Sequence, residues 1–156
     1  MFREMRRSKQ QISDDECRQL LHKAKRGVLS VNGDDGYPYG VPIDFVYDEE
    51  NGRICFHGAK SGHKIDAIRR SDKATLCVMD EGTSENGSWM LRFKSVIVFG
   101  RIKPADEAEY RDICSAIAHK FTSDEDYITK ELRSLPAVQC LELKIEHMSG
   151  KTVLES

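Results

Sequence analysis

The segment VLSVNGDDGYPYGVPIDFVYDEENGRICFH, residues 28–57, predicts an antiparallel arrangement of β-strands. Within it, apolar residues recur at every second position of 41–47, which is the period of a half-buried strand. Glycine-containing turns at 33–36 and 49–52 separate this strand from a further strand on each side. A doubly wound parallel sheet would instead need a helix after almost every strand. The segment therefore favours antiparallel neighbours.

Three more strands and four helices are predicted outside this segment. The strands are predicted at 74–79, at 91–103 with a bulge at Gly100, and at 141–146. The helices are predicted at 13–24 with a capping box of Ser13 and Glu16 and an end at Gly27, at 61–70, at 106–121, and from Ser123 to just before Pro136. Residues 82–88 are predicted to form a loop. Six strands joined mainly by turns indicate a mainly β fold with flanking helices, a six-stranded antiparallel barrel.

Size and composition limit the classes of protein to consider. The chain has 156 residues, 39% hydrophobic and 32% charged, so we expect one domain over residues 1–156, with residues 1–12 as an N-terminal arm. A net charge of −2 gives no reason to expect a nucleic-acid partner. No apolar run approaches the roughly 18 to 20 residues of a membrane span, and no secretory signal is visible, so no membrane association is expected. Five cysteines, none in a CxxC pair, are expected to be free thiols of a cytoplasmic protein.

The segment FHGAKSGHKID, residues 56–66, is the best candidate for ligand binding. It leaves a strand, turns through small residues, and enters a helix that carries His63 and Lys64. Glycines let backbone amides approach a ligand closely, and a helix N-terminus with two basic side chains favours an anion. The segment therefore predicts a phosphate site, although a surface turn with solvated basic side chains would look similar.

His57 has several possible roles in this segment. Histidine titrates near neutral pH, so proton transfer is chemically available to it, but a structural or ligand-binding role fits the same pattern. Cys55, His57, His63 and Asp66 can also be read as a metal cluster. They lack the tight ligand spacing of zinc sites, so a core cysteine with a ligand-facing histidine is preferred and no metal is expected.

Three motifs follow one another at compatible spacing: DGYPYGVP at 35–42, FHGA with GHKIDAI over 56–68, and SVIVFG at 95–100. Together with MRR at 5–7 and SGK at 149–151, they make nearly the whole chain similar to the pyridoxamine phosphate oxidase superfamily. Within that superfamily, the chain most resembles the nitroimidazole-resistance branch. The resemblance implies a split β-barrel, a homodimer, and FMN bound at the dimer interface.

The resemblance also implies roles for two pairs of residues. His57 and Gly58 match a Tyr-Thr pair that follows the flavin in the oxidase. His63 and Lys64 match the oxidase's Arg-Lys phosphate pair. In the nitroimidazole-resistance branch, the histidine that matches His57 has been proposed as catalytic, so His57 is the candidate catalytic residue.

The remaining cofactor contacts implied by the resemblance come from two strands. Val41, Pro42 and Ile43 match the strand that lines the flavin ring. Ser95 matches a glutamine that reaches FMN from the partner subunit.

The chain departs from the oxidase in ways that change the expected reaction. Val41 and Val46 stand where the oxidase has an arginine and a lysine. The oxidase's substrate-binding C-terminal segment also has no counterpart in this chain. Pyridoxamine phosphate is therefore not the expected substrate. Lys151 could replace some of the missing charge, although a solvated lysine fits as well. The expected function is an FMN-dependent oxidoreductase that reduces small aromatic or nitroaromatic compounds of the 5-nitroimidazole type. The alternative is a non-catalytic module that binds or senses flavin or haem, with FAD or haem as the less favoured cofactors.

Overall fold

Six strands close into a ring in the computed structural model, which describes residues 1–84 and 87–155. The strands are β1 (Arg26–Asn32), β2 (Pro38–Asp48), β3 (Arg53–Ala59), β4 (Lys73–Met79), β5 (Thr83–Ser84), β6 (Leu91–Pro104) and β7 (Val138–Glu155). Hydrogen-bonded neighbours follow the order β4-β1-β2-β3-β7-β6, and β4 also pairs with β6. Every pairing is antiparallel. The predicted mainly β split barrel is thereby confirmed, with the two-residue β5 added on β6.

Four helices flank the barrel: α1 (Asp14–Lys23), α2 (His63–Arg70), α3 (Tyr110–His119) and α4 (Glu125–Glu131). The predicted capping box is present, because the Glu16 amide donates to Ser13 Oγ and the Ser13 amide donates to the Glu16 carboxylate. The prediction that Gly27 ends α1 is wrong. The helix ends at Lys23, and Gly27 lies within β1, where an added Cβ would come 2.9 Å from the Cys77 carbonyl oxygen. No helix of the described residues is long and apolar enough to cross a membrane.

Other predicted boundaries change for identifiable reasons. The loop predicted at 82–88 contains β5, which pairs with the start of β6; residues 85–86 lie outside the described residues. The last strand, predicted at 141–146, extends over all of β7 because β6 offers it a continuous partner. The helix predicted to stop before Pro136 ends at Glu131, and a 3₁₀ segment, Leu132–Ala137, carries the proline. Proline lacks the N–H that an α-helix needs, whereas a short 3₁₀ segment accommodates it.

The predicted bulge at Gly100 is confirmed. The register between β6 and β7 shifts between Phe99 and Gly100. A Cβ at Gly100 would lie 2.1 Å from the Lys144 carbonyl oxygen, so only glycine allows the two backbones to approach this closely.

Buried side chains form two separate clusters. The larger fills the barrel and includes Phe45 and Phe56. The smaller lies outside the barrel, beneath α3, and consists of Cys55, Ala105, Ile113, Cys114, Ile117 and Cys140. Four of the five cysteines are buried and Cys77 is half-buried, which suits small apolar side chains.

Arg53 forms ion pairs that link the segment before α3 to the barrel. The side chain of Arg53 in β3 is only 13% exposed and contacts three carboxylates. The distances are 2.9 Å to Asp48, 2.7 Å to Glu109 and 2.6 Å to Glu142. We call these four side chains the Arg53 network. Because Glu109 immediately precedes α3, the network helps to hold this helix over the outer face of β3.

The N-terminal arm lies against the outer face of β6 and β7. The Phe2 ring stacks on His147 with 4.8 Å between centroids, and it lies 5.3 Å from the Phe99 ring. The Ile12 amide donates to the Gly150 carbonyl oxygen at 3.0 Å. The arm is therefore attached at both of its ends, although most of its residues are exposed.

Candidate functional site

The outer face of β3 carries the central residue of the site. Alternation along the strand directs Ile54 and Phe56 into the barrel core, whereas Cys55 and His57 face outward. The register with β7 places Cys140 directly opposite His57. Because paired residues of neighbouring strands point to the same face, His57 and Cys140 lie side by side beneath α3.

A cavity of about 290 Å³ opens beside His57, between α3, α4 and the barrel. Its walls are mainly apolar, and its lining residues are Asp44, His57, Cys114, Ile117, Ala118, Phe121, Thr122, Tyr127, Ile128, Glu131, Leu132, Ser134, Leu135 and Val138. An apolar cavity with a few polar groups at one end is typical of small-molecule sites.

The surroundings of His57 favour its protonated form. Interaction with the Cys114 thiol raises the pKa of His57 above its ordinary value, and the Asp44 carboxylate acts in the same direction. Burial and the Lys64 ammonium oppose this rise. A raised pKa increases the fraction of imidazolium near neutral pH, so His57 is able to donate a proton.

The first turn of α2 lies beside the same end of β3. Gly62 precedes the helix with φ of 130°, a conformation that favours glycine, and no side chain caps the helix. Lys64 points back towards β3, because its amine would lie 3.1 Å from a Cβ added at Gly58. In the described part of the chain Lys64 forms no salt bridge, and burial lowers its pKa. No carboxylate of the residues that the structure describes therefore neutralises the half-buried ammonium.

His63 turns to the other side of the α2 terminus. Its ring stacks on Tyr39 with 4.1 Å between centroids, and Nε2 lies 3.7 Å from an Asp34 carboxylate oxygen. His63 and Lys64 thus share one helix terminus but point apart.

The structure brings some of the predicted site residues together and separates others. His57, Gly58 and Lys64 meet at the end of β3. The neighbouring strand β2 directs the Val41 and Ile43 side chains towards the barrel core, so neither side chain faces the cavity.

Pro42 and Ser95 do not line the cavity, although Pro42 shares an outward face of β2 with Asp44. Pro42 is exposed and pairs with Val28 of β1, which in turn pairs with Cys77 of β4. Ser95 of β6 pairs with Met79 of β4 and, on its other side, with Lys151 of β7. Since neither β4 nor β6 neighbours β2 or β3 in the ring, Ser95 does not reach His57 of its own subunit.

The alternative interpretation as a metal cluster finds no support in the geometry. Among residues 1–84 and 87–155, no group of three or more histidine, cysteine, aspartate or glutamate side chains is placed to hold a metal ion. Cys55 packs in the cluster beneath α3, and Asp66 lies 3.9 Å from Arg69 on the α2 surface.

The sequence prediction missed Asp44, Cys114 and Cys140. Asp44 had a detectable signal, because it is a charged residue at an outward position of a strand whose inward positions are apolar. The two cysteines had none, since their position beside His57 depends on the β3–β7 register and on how α3 packs.

Comparison with known proteins agrees with this architecture. A candidate 5-nitroimidazole antibiotic resistance protein from Bacteroides thetaiotaomicron superposes with a TM-score of 0.76 at 20% identity, covering 92% of this chain and 87% of that one. An FAD- and heme-binding protein from Mycobacterium smegmatis superposes with a TM-score of 0.72 at 22% identity, covering 91% of this chain and 72% of that one. An FAD-binding protein from Mesorhizobium loti superposes with a TM-score of 0.65 at 23% identity, covering 92% of this chain and 96% of that one. These identities show a shared fold.

Sequence comparison assigns the family. No curated protein matches the chain. The family model described as pyridoxamine 5'-phosphate oxidase matches residues 13–152. Because this match runs from the cap of α1 into β7, and so includes the whole ring and the residues around His57, the chain belongs to the pyridoxamine 5'-phosphate oxidase family.

Proposed function

We propose that this chain is a homodimeric FMN-binding oxidoreductase that reduces small aromatic or nitroaromatic compounds. The observation that carries the proposal is the half-buried Lys64 ammonium at the uncapped N-terminus of α2, which forms no ion pair with any carboxylate of the described residues. A buried charge is costly unless it is paired, so this arrangement favours the binding of an anion.

The residues around Lys64 fit a phosphate monoester. Lys64 and the first-turn amides of α2 would hold it, with His63 at the side, and Gly58 leaves room for the Lys64 amine. Val46 packs against the cluster beneath α3, so the position that carries a lysine in the oxidase supplies no charge here. One ammonium at one helix terminus suits the single phosphate of FMN better than the diphosphate of FAD.

The cavity beside His57 supplies the remaining requirements for a reductase. A bound flavin would supply the electrons. The apolar walls of the cavity suit a small aromatic ring, and His57 is placed to give a proton to a molecule held there. The structural neighbour described as a candidate 5-nitroimidazole antibiotic resistance protein supports a nitroaromatic acceptor.

An exposed apolar surface supports the homodimer. Val28, Cys77 and Ile97 form one row across β1, β4 and β6, and Met79 lies in the next outward row beside Ser95. Val28, Met79 and Ile97 are 39%, 58% and 40% exposed. Contiguous apolar side chains on a barrel face are typical of an interface. Such an interface would carry Ser95, and its neighbour Lys151, to the partner's flavin.

The proposal is tested by titration and turnover. FMN fluorescence should be quenched on binding to the purified protein. The complex, reduced anaerobically, should be reoxidised by a nitroimidazole, and several reduced flavins should be consumed for each amine formed, because reduction of a nitro group to an amine takes more electrons than a single flavin carries. His57→Gln should slow this reoxidation at least tenfold, which corresponds to about 1.4 kcal/mol of barrier. Absence of FMN binding at high micromolar concentration would refute the cofactor. Binding without turnover of any nitroaromatic or quinone would instead indicate a flavin-binding module.

A further inference from the structure

Two buried cysteines face each other beside the cavity. Cys114 Sγ on α3 lies 3.6 Å from Cys140 Sγ on β7, and Cys140 is the cross-strand partner of His57. A disulfide has a sulfur–sulfur distance of about 2.0 Å, so the two sulfurs need to approach by only about 1.6 Å to form one.

Cys114 differs from the other cysteines in its surroundings. It lines the cavity, whereas Cys140 is fully buried between β7 and α3. The Cys140 thiol lowers the pKa of Cys114, and His57 acts in the same direction. Burial raises the pKa of Cys55 and of Cys17 to about 11, and it also raises that of Cys77. The thiolate is the reactive form of cysteine, so Cys114 is set apart as the nucleophile.

We propose that Cys114 and Cys140 are a peroxide-reactive dithiol, in which Cys114 attacks hydrogen peroxide and Cys140 resolves the product as a disulfide. The inference rests on the pair, His57 and the cavity, and it does not require a flavin. The cavity of about 290 Å³ admits hydrogen peroxide, which is close to water in size.

The reaction balances with the groups present. His57 takes the Cys114 proton, and the resulting thiolate attacks one peroxide oxygen. An S–O bond forms and the O–O bond breaks. The leaving hydroxide then takes the proton from His57 and becomes water. The Cys140 sulfur then attacks the Cys114 sulfur; the S–S bond forms, the S–O bond breaks, and the second hydroxide leaves as water with the Cys140 proton. Two thiols lose two electrons, and one peroxide is reduced to two waters.

Peptide mapping of the wild-type protein tests the proposal directly. Protein reduced with dithiothreitol and desalted without oxygen is treated with one equivalent of hydrogen peroxide, and the remaining thiols are alkylated. We expect the intact mass before alkylation to show the loss of two hydrogen atoms, and the map to show a Cys114–Cys140 crosslink with the other three cysteines alkylated. Cys77 is the most accessible cysteine and serves as an internal control. Its oxidation before the pair, or survival of all five thiols, would overturn the proposal.

Variants separate the roles within the pair. Cys140→Ser should stop the reaction at a Cys114 sulfenic acid that dimedone captures, and Cys114→Ser should leave Cys140 alkylated. Cys55→Ser, from the same cluster, should react like the wild type. His57→Gln should slow the reaction at least tenfold at pH 7 and recover rate at higher pH. An unchanged rate in His57→Gln would remove His57 from the mechanism, and dimedone capture at another cysteine would overturn the assignment of Cys114.

Discussion

Replacement of Lys64 by methionine isolates the contribution of one charge to cofactor binding. Methionine keeps the apolar stem that packs near Gly58 and removes the ammonium. A charge-assisted contact with a phosphate contributes about 1.5–3 kcal/mol, so the FMN dissociation constant should rise by roughly 10- to 150-fold. Because Lys64 is half-buried and has no ion-pair partner in the described part of the chain, its loss should not lower the free energy of unfolding of the apoprotein. Fluorescence titration and urea denaturation measure the two quantities.

Riboflavin, which has the same ring and no phosphate, is the matched ligand control. Its affinity should be the same in the wild type and in Lys64→Met. Lys60→Met, at an exposed lysine of the same segment, is the matched protein control and should leave FMN affinity within twofold. An equal loss of riboflavin and FMN affinity in Lys64→Met would show that the variant disturbs the ring site. The assignment of Lys64 to the phosphate would then be abandoned.

Three further predictions concern the barrel and its surface. Gly100→Ala should lower the free energy of unfolding by about 1–3 kcal/mol or more in urea denaturation, because the new Cβ meets backbone 2.1 Å away; a neutral effect would contradict the close approach. Arg53→Met should lower the free energy of unfolding by about 1.5–3 kcal/mol at pH 7, because the partly exposed carboxylates of the Arg53 network lose a charge-assisted partner. Arg53 lowers the pKa of Glu109 from its ordinary 4.5, so the Arg53–Glu109 ion pair stabilises the wild type above this pH. This stabilisation is lost as the pH falls and Glu109 becomes protonated. The urea denaturation midpoints of wild type and variant should therefore converge in acid. Ile97→Lys should reduce the mass in light scattering from a dimer to about that of the 17.8 kDa chain without unfolding it; an unchanged dimer would exclude this face as the interface.

The barrel was predictable from local sequence because its signals are local. Strand alternation and turn residues identified the six strands of the ring, and Gly100 marked the bulge where two backbones approach. The length of β7 was not predictable, because residues after Ile145 no longer alternate and are held in the strand by their pairing with β6. Gly27 resembled a helix stop, yet close packing against Cys77 keeps it in β1.

The candidate site was predictable to the extent that a single segment contains it. His57, Gly58 and Lys64 belong to one strand–turn–helix unit, so their sequence pattern was sufficient to bring them together. Cys114 and Cys140 come to His57 from a helix and a strand that are distant in sequence. Their proximity depends on strand register and helix packing, and no local pattern records either.

The position of β7 has a consequence for how the protein folds. Every residue of β3 and of β6 has a partner in β7, which is the last element of the ring along the chain. During synthesis, residues up to 137 therefore emerge before either strand has this neighbour, and both expose unpaired backbone edges. Exposed edges recruit other chains, and pairings between distant segments form slowly. We therefore expect nascent chains to be most vulnerable to aggregation just before β7 leaves the ribosome, and C-terminal truncations within this strand to be insoluble.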